Sequence, residues 1–176
     1  GRKTESIATQ LTALLLRTLP LPQRLLLVID DSPTKRYGPK VEGADVHHNP
    51  TPGPADQPYL YGHVWVTISL ALRHPKWGPI GLPLRAMLYV RQKTIPTIPR
   101  WRRWTFRTKL VLAAKLVEWI APIVQEAGKT LWVVVDGGYT KRPFLRRTLK
   151  TGVTVVGRLR KDAALRDLPP QLRKGQ

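Results

Sequence analysis

The chain has no cysteine among its 176 residues, which excludes disulfides and thiolate metal sites. No apolar run approaches the length of about eighteen residues that a membrane span needs, and no basic amphipathic helix dominates the sequence. Acidic residues are also scarce, since eleven Asp and Glu accompany thirty Lys and Arg and the net charge is +19. Any metal must therefore be bound by oxygen or imidazole, and polyanions, nucleic acid above all, are the favoured partners.

The length suits one domain with a real core rather than two. Residues 5–18 have apolar side chains at helical spacing, and Pro20 and Pro22 end that helix. We therefore expect an N-terminal helical segment at 1–23 and a main domain at 24–176. The chain begins without Met and ends at Gln176 without an evident closing element, so we expect it to be a piece of a longer protein.

Two stretches share a design in which an apolar run ends in acid. Leu25–Ile29 is followed by Asp30 and Asp31, and the run at 131–135 is followed by Asp136. Five apolar residues in a row predict a strand buried on both faces, and Pro33 is expected to stop the first strand. Asp30 and Asp31, which precede Ser-Pro-Thr, could form only a turn, but acids at two strand ends also predict a metal site.

The remaining elements follow from periodicity and from Pro and Gly. The segment at 32–58 has no periodicity and is expected to be irregular. Further predicted elements are strands at 59–72 and 80–90 forming a hairpin, a helix capped by Thr105 and running to about 127, a short helix near 141–150 and a fifth strand at 153–157. Pro83 indicates that the strand at 80–90 is broken or lies at an edge.

This order of elements is that of the ribonuclease H-like fold, an α/β fold with a mixed five-stranded sheet flanked by helices. Its first and fourth strands lie side by side and parallel, and neighbouring strands are about 4.8 Å apart. Carboxylates at their matching ends can therefore share two divalent ions, Mg²⁺ or Mn²⁺, which support in-line phosphodiester displacement.

Several motifs resemble, in the right order, the catalytic domain of a DDE transposase from a bacterial insertion sequence. The resemblance spans about residues 24–165 and rests on the segments 29–39, 42–50, 61–66 and 135–143. It implies cutting and joining of double-stranded DNA, at transposon ends and target, by a two-metal site. It also implies a bacterial cytoplasmic protein associated with the nucleoid, with a possible homodimer in the full-length enzyme.

Carried over by position, the resemblance makes Asp31, the Asp before Ser32, and Asp136 the first two catalytic acids and metal ligands. Whether Asp30 or Asp31 faces the site stays open, because a wholly apolar strand gives no phase; we favour Asp31. The family's third acid is a Glu on a helix after the fifth strand. No Glu follows Glu126, and only Asp162 and Asp167 follow Asp136. We expect that the last catalytic helix is lacking and that this chain alone does not catalyse strand transfer.

Basic residues beside these motifs are predicted to contact DNA. Lys35 and Arg36, like Lys141 and Arg142, follow an acid-tipped strand and could hold phosphates. In the segment 100–104, Arg100, Arg102 and Arg103 alternate with Trp, as phosphate contact with base or sugar stacking requires. The alternative for that segment is a helix entrance with Trp packed inward and Arg in water. The stretch 158–161 is expected to be solvated.

Other polar residues have plain interpretations. His47 and His48 are adjacent, so they do not form the chelating face of an i, i+4 pair, and we expect a solvated loop pair. His63 is expected to be a packed, hydrogen-bonded core residue. Glu42 and Asp45 follow the first acids and could approach the site, although solvated loop acids are the default expectation.

Two rival functions differ from a transposase. A haloacid dehalogenase-type phosphotransferase also uses Asp at a strand end, but it requires Asp-x-Asp, and Ser32 stands at the second position after Asp30. The other rival is a non-catalytic DNA-binding remnant of a transposase, which would also lack the Glu.

Overall fold

The structure, a computed structural model, describes residues 2–38, 40–49 and 57–159, with side chains from residue 4 onward. The helices are α1 (Arg2–Thr18), α2 (Lys109–Glu126) and α3 (Arg142–Thr148). The strands are β1 (Arg24–Lys35), β2 (Asp45–His48), β3 (Tyr59–His74), β4 (Gly78–Tyr89), β5 (Thr130–Val135) and β6 (Thr154–Gly157). Short 3-10 helices cover Gln92–Thr97, Arg100–Arg102 and Leu149–Thr151.

One mixed sheet contains six strands. Five of them follow the order β2-β3-β1-β5-β6, and β4 pairs with residues 64–74 of β3, after the part of β3 that pairs with β2. β1 is antiparallel to β3 and parallel to β5, and β5 is parallel to β6. The α/β class and the adjacent, parallel first and acid-tipped later strands are confirmed. The count of five strands was wrong, because the predicted irregular segment contains β2, which pairs with the start of β3.

Pro33 does not stop β1, which continues to Lys35. The Arg36 amide donates to the Tyr61 carbonyl of β3 at 3.0 Å, so alternation along the strand turns the nitrogen of Pro33 away from β3. On that side β5 pairs with β1 only as far as Ile29. A residue without an N–H is tolerated at such an open edge, and the strand end that bears Asp31 is thereby extended.

The core lies between the sheet and α2. Side chains of β1 alternate in burial, so that Leu25, Leu27 and Ile29 are buried against α2. Leu26 and Val28 on the other face are 39% and 37% exposed. The expectation of a strand covered on both faces was therefore wrong: the described helices lie over one face only.

The helix α2 packs an apolar surface on the sheet. Its buried side chains are Leu112, Ala113, Ala114, Leu116, Val117, Ile120, Ala121 and Val124. It begins at Lys109, where Thr108 caps it by accepting a hydrogen bond from the Val111 amide at 3.3 Å, so Thr105 is not the cap. It ends at Glu126, before Gly128 with φ +69, as predicted. The cap three residues later places Lys109 beside the end of β1.

The hairpin of β3 and β4 was predicted correctly. β4 is an edge strand, and its register shifts between Arg85 and Pro83, so Leu84 forms a bulge. Pro83 thus lies at a bulge on an edge, where its missing donor is tolerated. The structure bears out the expectation that Pro83 marks a broken or edge strand.

The helix α1 packs against α2 and β4. The Trp119 indole donates to the Thr9 hydroxyl at 2.9 Å, and Arg85 donates to Glu5 at 2.9 Å. The division of the chain at residue 23 stays a prediction. No helix of the described residues is long and apolar enough to cross a membrane.

After β5 the chain forms α3 and one turn of 3-10 helix before β6, near the predicted bounds. Asp162 and Asp167 lie outside the described residues, as do residues 160 and 161 of the basic stretch, whereas residues 158 and 159 are exposed as expected. No helix follows β6 within the described part of the chain, which ends at residue 159.

Candidate functional site

The two predicted acids lie at the carboxyl ends of adjacent parallel strands. Ile29 of β1 pairs with Val135 of β5, and Asp31 and Asp136 follow within two residues of that pair. Both carboxylates line one open pocket of about 360 Å³. Thr108, Lys109, Leu110, Gly138, Tyr139 and Lys141 complete its lining. The fold therefore brings together two acids that are remote in sequence.

Asp31, rather than Asp30, faces this pocket. Asp31 shares the α2 face of β1 with Leu27 and Ile29, and its side chain is 25% exposed. Asp30 lies on the opposite face, where its Oδ1 accepts the Asp31 amide at 2.8 Å. Asp30 thus satisfies the backbone at the open edge of β1, a local role typical of Asp near a turn.

Both oxygens of the Asp31 carboxylate have protein donors. The Tyr139 hydroxyl donates to Oδ1 at 3.0 Å, and the Lys109 ammonium donates to Oδ2 at 2.5 Å. Lys109 is the first residue of α2, and its side chain is 38% exposed. A hydroxyl and a cation from two different elements therefore hold the carboxylate in place.

Asp136 organises the turn that follows β5. Its Oδ1 accepts the amides of Gly138 at 2.9 Å and Tyr139 at 3.2 Å. A Cβ at residue 138 would lie 3.1 Å from that oxygen, so glycine leaves the space that the turn needs. The turn directs Tyr139 back under the sheet, where its ring packs edge-on against Phe144 with centroids 6.2 Å apart.

Tyr139 connects the two acids, because its amide bonds Asp136 and its hydroxyl bonds Asp31. Its side chain is buried, with 3% of the residue exposed. Burial, and then the neighbouring Asp31 carboxylate, raises the pKa of the Tyr139 hydroxyl above its usual range. The hydroxyl therefore stays protonated and serves as a fixed donor to Asp31.

Sequence reasoning assigned no role to Tyr139 or Lys109. Tyr139 lies in the segment 135–143 that carries the family resemblance, and a Tyr three residues after a turn Asp could have signalled a side chain folded back on the strand end. Lys109 had no comparable signal, because its position depends on where α2 begins.

A second pocket, of about 460 Å³, adjoins Asp31 on its other side. Asp31 and Lys109 line both pockets, and His47, Tyr89 and Arg91 help to form this one. The Lys109 ammonium lies 5.6 Å from the centroid of the Tyr89 ring, within the range of a cation–π contact. Lys109 therefore stands between the pocket shared by Asp31 and Asp136 and a pocket that contains Tyr89 and Arg91.

The prediction that His47 and His48 form a solvated loop pair was wrong. Both residues lie on β2, and His47 is only 8% exposed. The pairing of His47 with Leu60 turns its ring toward the core face, and a four-residue strand leaves little periodicity to read. Burial, with the nearby cations Arg91 and Lys109, lowers the pKa of His47 despite the opposing charge of Asp45. His48 is exposed.

Asp45 is likewise not a solvated loop acid, because its side chain is 11% exposed and it accepts a hydrogen bond from the Thr94 hydroxyl at 2.7 Å. Arg91 and Lys93 form ion pairs with it at 3.5 and 3.2 Å. Burial would raise the pKa of Asp45, but these partners and the Val46 amide outweigh burial and lower it. Asp45 thus anchors the segment after β4 to β2.

His63 is the packed, hydrogen-bonded residue that was expected, with 8% exposure. Its Nδ1 accepts from the Arg36 guanidinium at 3.2 Å, so its Nε2 has the proton and donates to the Glu42 carbonyl at 3.0 Å. The Glu42 side chain is 42% exposed and pairs with Arg102 at 3.2 Å.

The predicted DNA-contacting residues fall into three groups, after β5, at the end of β1 and before α2. Lys141 directly precedes α3, lines the pocket of Asp31 and Asp136, and is exposed like its neighbour Arg142. Lys35 is exposed at the end of β1, and Arg36 is partly buried by its bond to His63.

Arg100 and Arg102 are exposed on a one-turn 3-10 helix before α2, and Arg103, which is also exposed, directly follows that turn. The Arg102 guanidinium lies 4.2 Å from the ring centroid of Trp101, which is 70% exposed. The alternative of an inward-packed Trp therefore does not hold for Trp101, whereas Trp104 is partly buried.

The donors at the site suit a divalent cation in kind. Carboxylate oxygens are the hard ligands that Mg²⁺ and Mn²⁺ prefer, and Asp31 and Asp136 supply them to one pocket. Among the residues that the structure describes, no group of three or more His, Asp or Glu side chains converges as a metal site. Mg²⁺ is usually bound by one or two carboxylates, with water and substrate oxygens completing its coordination. Asp31 and Asp136 therefore fit such an ion.

Comparison with known proteins adds a family. No curated protein and no solved structure matches the chain. A family model described as DDE superfamily endonuclease matches residues 2–176. With the α/β sheet and the paired acids at its strand ends, that match shows that the chain belongs to the DDE superfamily endonuclease family.

Proposed function

We propose that this chain is the catalytic domain, in part, of a transposase of a bacterial insertion sequence that cuts and joins double-stranded DNA. The observation that supports this most strongly is the shared pocket of Asp31 and Asp136 at the ends of parallel strands, within a chain of charge +19. Transposon ends and target DNA would be its substrates, in the bacterial cytoplasm at the nucleoid. A homodimer of the full-length enzyme is part of the proposal.

The residues of the pocket have distinct parts in this proposal. Asp31 and Asp136 would hold the Mg²⁺ or Mn²⁺ ions, and Tyr139 keeps the Asp31 carboxylate turned toward the pocket. Bound there, such ions would activate a water or a 3′ hydroxyl and stabilise the leaving oxygen. Lys141 and Arg142, both exposed beside the pocket, would draw the phosphate backbone to the acids.

The remaining predicted cations would extend the DNA path. Lys35 and Arg36 lie at the end of β1, near Asp31, and Arg100, Arg102 and Arg103 precede α2. The exposed Trp101 beside Arg102 offers a flat surface for a base or a sugar. These contacts supply affinity without sequence preference, because phosphates look alike along the duplex.

The third acid stays an expectation. No Glu follows Glu126, so we expect this chain alone not to join strands. The test is Mg²⁺-dependent nicking of duplexes bearing the sequences that flank its reading frame, with the chain alone and with the residues that follow it in that frame. We expect nicking from the longer form only, lost about a hundredfold or more in Asp31→Asn and Asp136→Asn. Robust nicking by the 176 residues would contradict the expectation.

A second candidate is a DNA-binding remnant without catalysis. One observation favours it: Lys109 occupies Oδ2 of Asp31, as a cation would in a site that no longer binds metal. A remnant would bind DNA with the same salt dependence but would show no Mn²⁺ affinity that depends on Asp31. Mn²⁺ binding abolished by Asp31→Asn would exclude it.

A further inference from the structure

Lys109 lies at the first position of α2, where its charge is not expected to stabilise the helix. A cation in the first turn of a helix opposes the helix dipole, and α2 has no acidic residue in that turn to offset it. The partner of Lys109 is instead Asp31, on another element. The ion pair therefore serves the site rather than the helix.

Lys109 and a divalent cation would compete for the same atom. Tyr139 already takes Oδ1 of Asp31, and the ammonium of Lys109 takes Oδ2. A metal ion at Oδ2 would meet the positive charge of Lys109 within contact distance. The two cations cannot bind that oxygen together without strong repulsion.

Of the two donors, Lys109 is the one able to leave. Its stem is flexible and its side chain 38% exposed, whereas Tyr139 is buried and packed on Phe144. The Tyr89 ring, 5.6 Å away in the adjoining pocket, provides an alternative position for the ammonium. Exchange at Oδ2 would leave the carboxylate oriented through Oδ1.

We propose that Lys109 is an exchangeable counter-ion of the site, which neutralises Asp31 until a divalent cation displaces it and which then contacts a DNA phosphate. The inference rests on the proposed function, since it assumes that Asp31 binds the metal. In this proposal Lys109 regulates metal binding at Asp31 and positions DNA in the adjoining pocket. Arg91 also lines that pocket.

The test compares Mn²⁺ affinity, measured by electron paramagnetic resonance or calorimetry without DNA, in the wild type, Lys109→Met and Lys141→Met. Lys141 is the matched control, because it lines the same pocket as Asp136 and removal of its charge changes the field similarly. We expect Lys109→Met to bind Mn²⁺ about tenfold more tightly, and Lys141→Met to change less than about twofold. Lys109→Gln replaces it if the Met variant does not fold.

DNA affinity provides the second reading and should move the opposite way. In Mn²⁺, Lys109→Met should bind duplex DNA more weakly and lower the salt slope by about one phosphate contact. Unchanged or weaker Mn²⁺ binding in Lys109→Met, or equal tightening in Lys141→Met, would overturn the inference. Mn²⁺ binding that Asp31→Asn does not weaken would instead overturn the metal site of the proposed function.

Discussion

At the scale of single residues, the site depends on how one carboxylate is held. Asp31 receives a hydroxyl from β5's turn and an ammonium from α2, so two elements meet on its two oxygens. Hydrogen bonds to a charged acceptor are among the stronger ones, and a lost partner leaves a partly buried charge short of a donor.

Tyr139→Phe tests this arrangement, because it removes the hydroxyl and keeps the ring that packs on Phe144. We expect a loss of about 1.5–3 kcal/mol in the free energy of unfolding, measured with urea. Tyr59→Phe, at a residue 60% exposed, is the control and should change stability little. Equal stabilities of Tyr139→Phe and the wild type would show that the hydroxyl does not hold Asp31.

His47 predicts a pH dependence. Its pKa in the folded protein is lowered from 6.5. At pH values between the folded pKa and 6.5, His47 therefore binds a proton in the unfolded chain but not in the folded one. The free energy of unfolding should therefore decrease as pH falls from 6.5 through the folded pKa, and change no further below it through this group.

Thermal unfolding at several pH values checks this. His47→Gln should flatten the decrease below pH 6.5, whereas His48→Gln, at the exposed neighbour, should leave the wild-type profile. A His47→Gln profile parallel to the wild type would show that the pH dependence does not come from His47.

At the scale of elements, β1 is the strand that positions the acid, and its close approach to β3 is built on glycine. A Cβ on Gly62 would lie 2.1 Å from the Thr34 carbonyl oxygen, a backbone atom that cannot move aside alone. The pairing of Lys35 with Gly62 therefore tolerates no side chain. This contact fixes the outer end of the strand, three residues beyond Asp31.

Gly62→Ala should push β1 and β3 apart and cost about 1–3 kcal/mol of stability, measured by chemical denaturation. Gly81→Ala is the matched control on the paired strand β4, since its added Cβ would meet only the Ser69 side chain at 3.8 Å. Similar stabilities for the two variants would contradict the close approach.

Elements with strong periodicity were predictable from sequence, and those defined by partners were not. The β-branched run of β3 predicted its position, and the apolar spacing of α2 with Gly128 predicted the body and the end of that helix but not its start. β2 was missed because four residues after a Gly turn form a strand only by pairing with β3. Pro33 was misread because its open edge depends on where β5 stops.

The site was predictable in the same measure. Acids at strand ends are visible in the letters, and parallel pairing of the two strands follows from the order of elements. The phase of β1 was not visible, since Leu25–Ile29 are all apolar, and only the one-sided cover of the sheet separates Asp31 from Asp30. Lys109 required the true start of α2.

At the scale of the whole molecule, the net charge of +19 favours binding to DNA, the proposed partner. Binding should weaken linearly in log affinity with log salt, because each neutralised phosphate releases counter-ions. Fluorescence anisotropy with duplex DNA across a salt series measures the slope. An affinity independent of salt would contradict DNA as the partner.

A pair of double variants locates the path of the DNA. Lys141→Gln with Arg142→Gln should reduce the salt slope by about two, roughly one per lost phosphate contact. Arg73→Gln with Lys76→Gln removes the same charge near the turn of the β3–β4 hairpin, far along β3 from Gly62, and should leave the slope nearly unchanged. Equal effects would indicate a diffuse field without a path.

The proposed function depends most on joint binding of one divalent cation by Asp31 and Asp136. Crystals of the protein grown with Mn²⁺ test it directly through an anomalous difference map. We expect a peak about 2.2 Å from carboxylate oxygens of both residues, with Lys109 no longer in contact with Asp31. A map without a peak there, or with a peak bound to only one of the two carboxylates, would contradict the account.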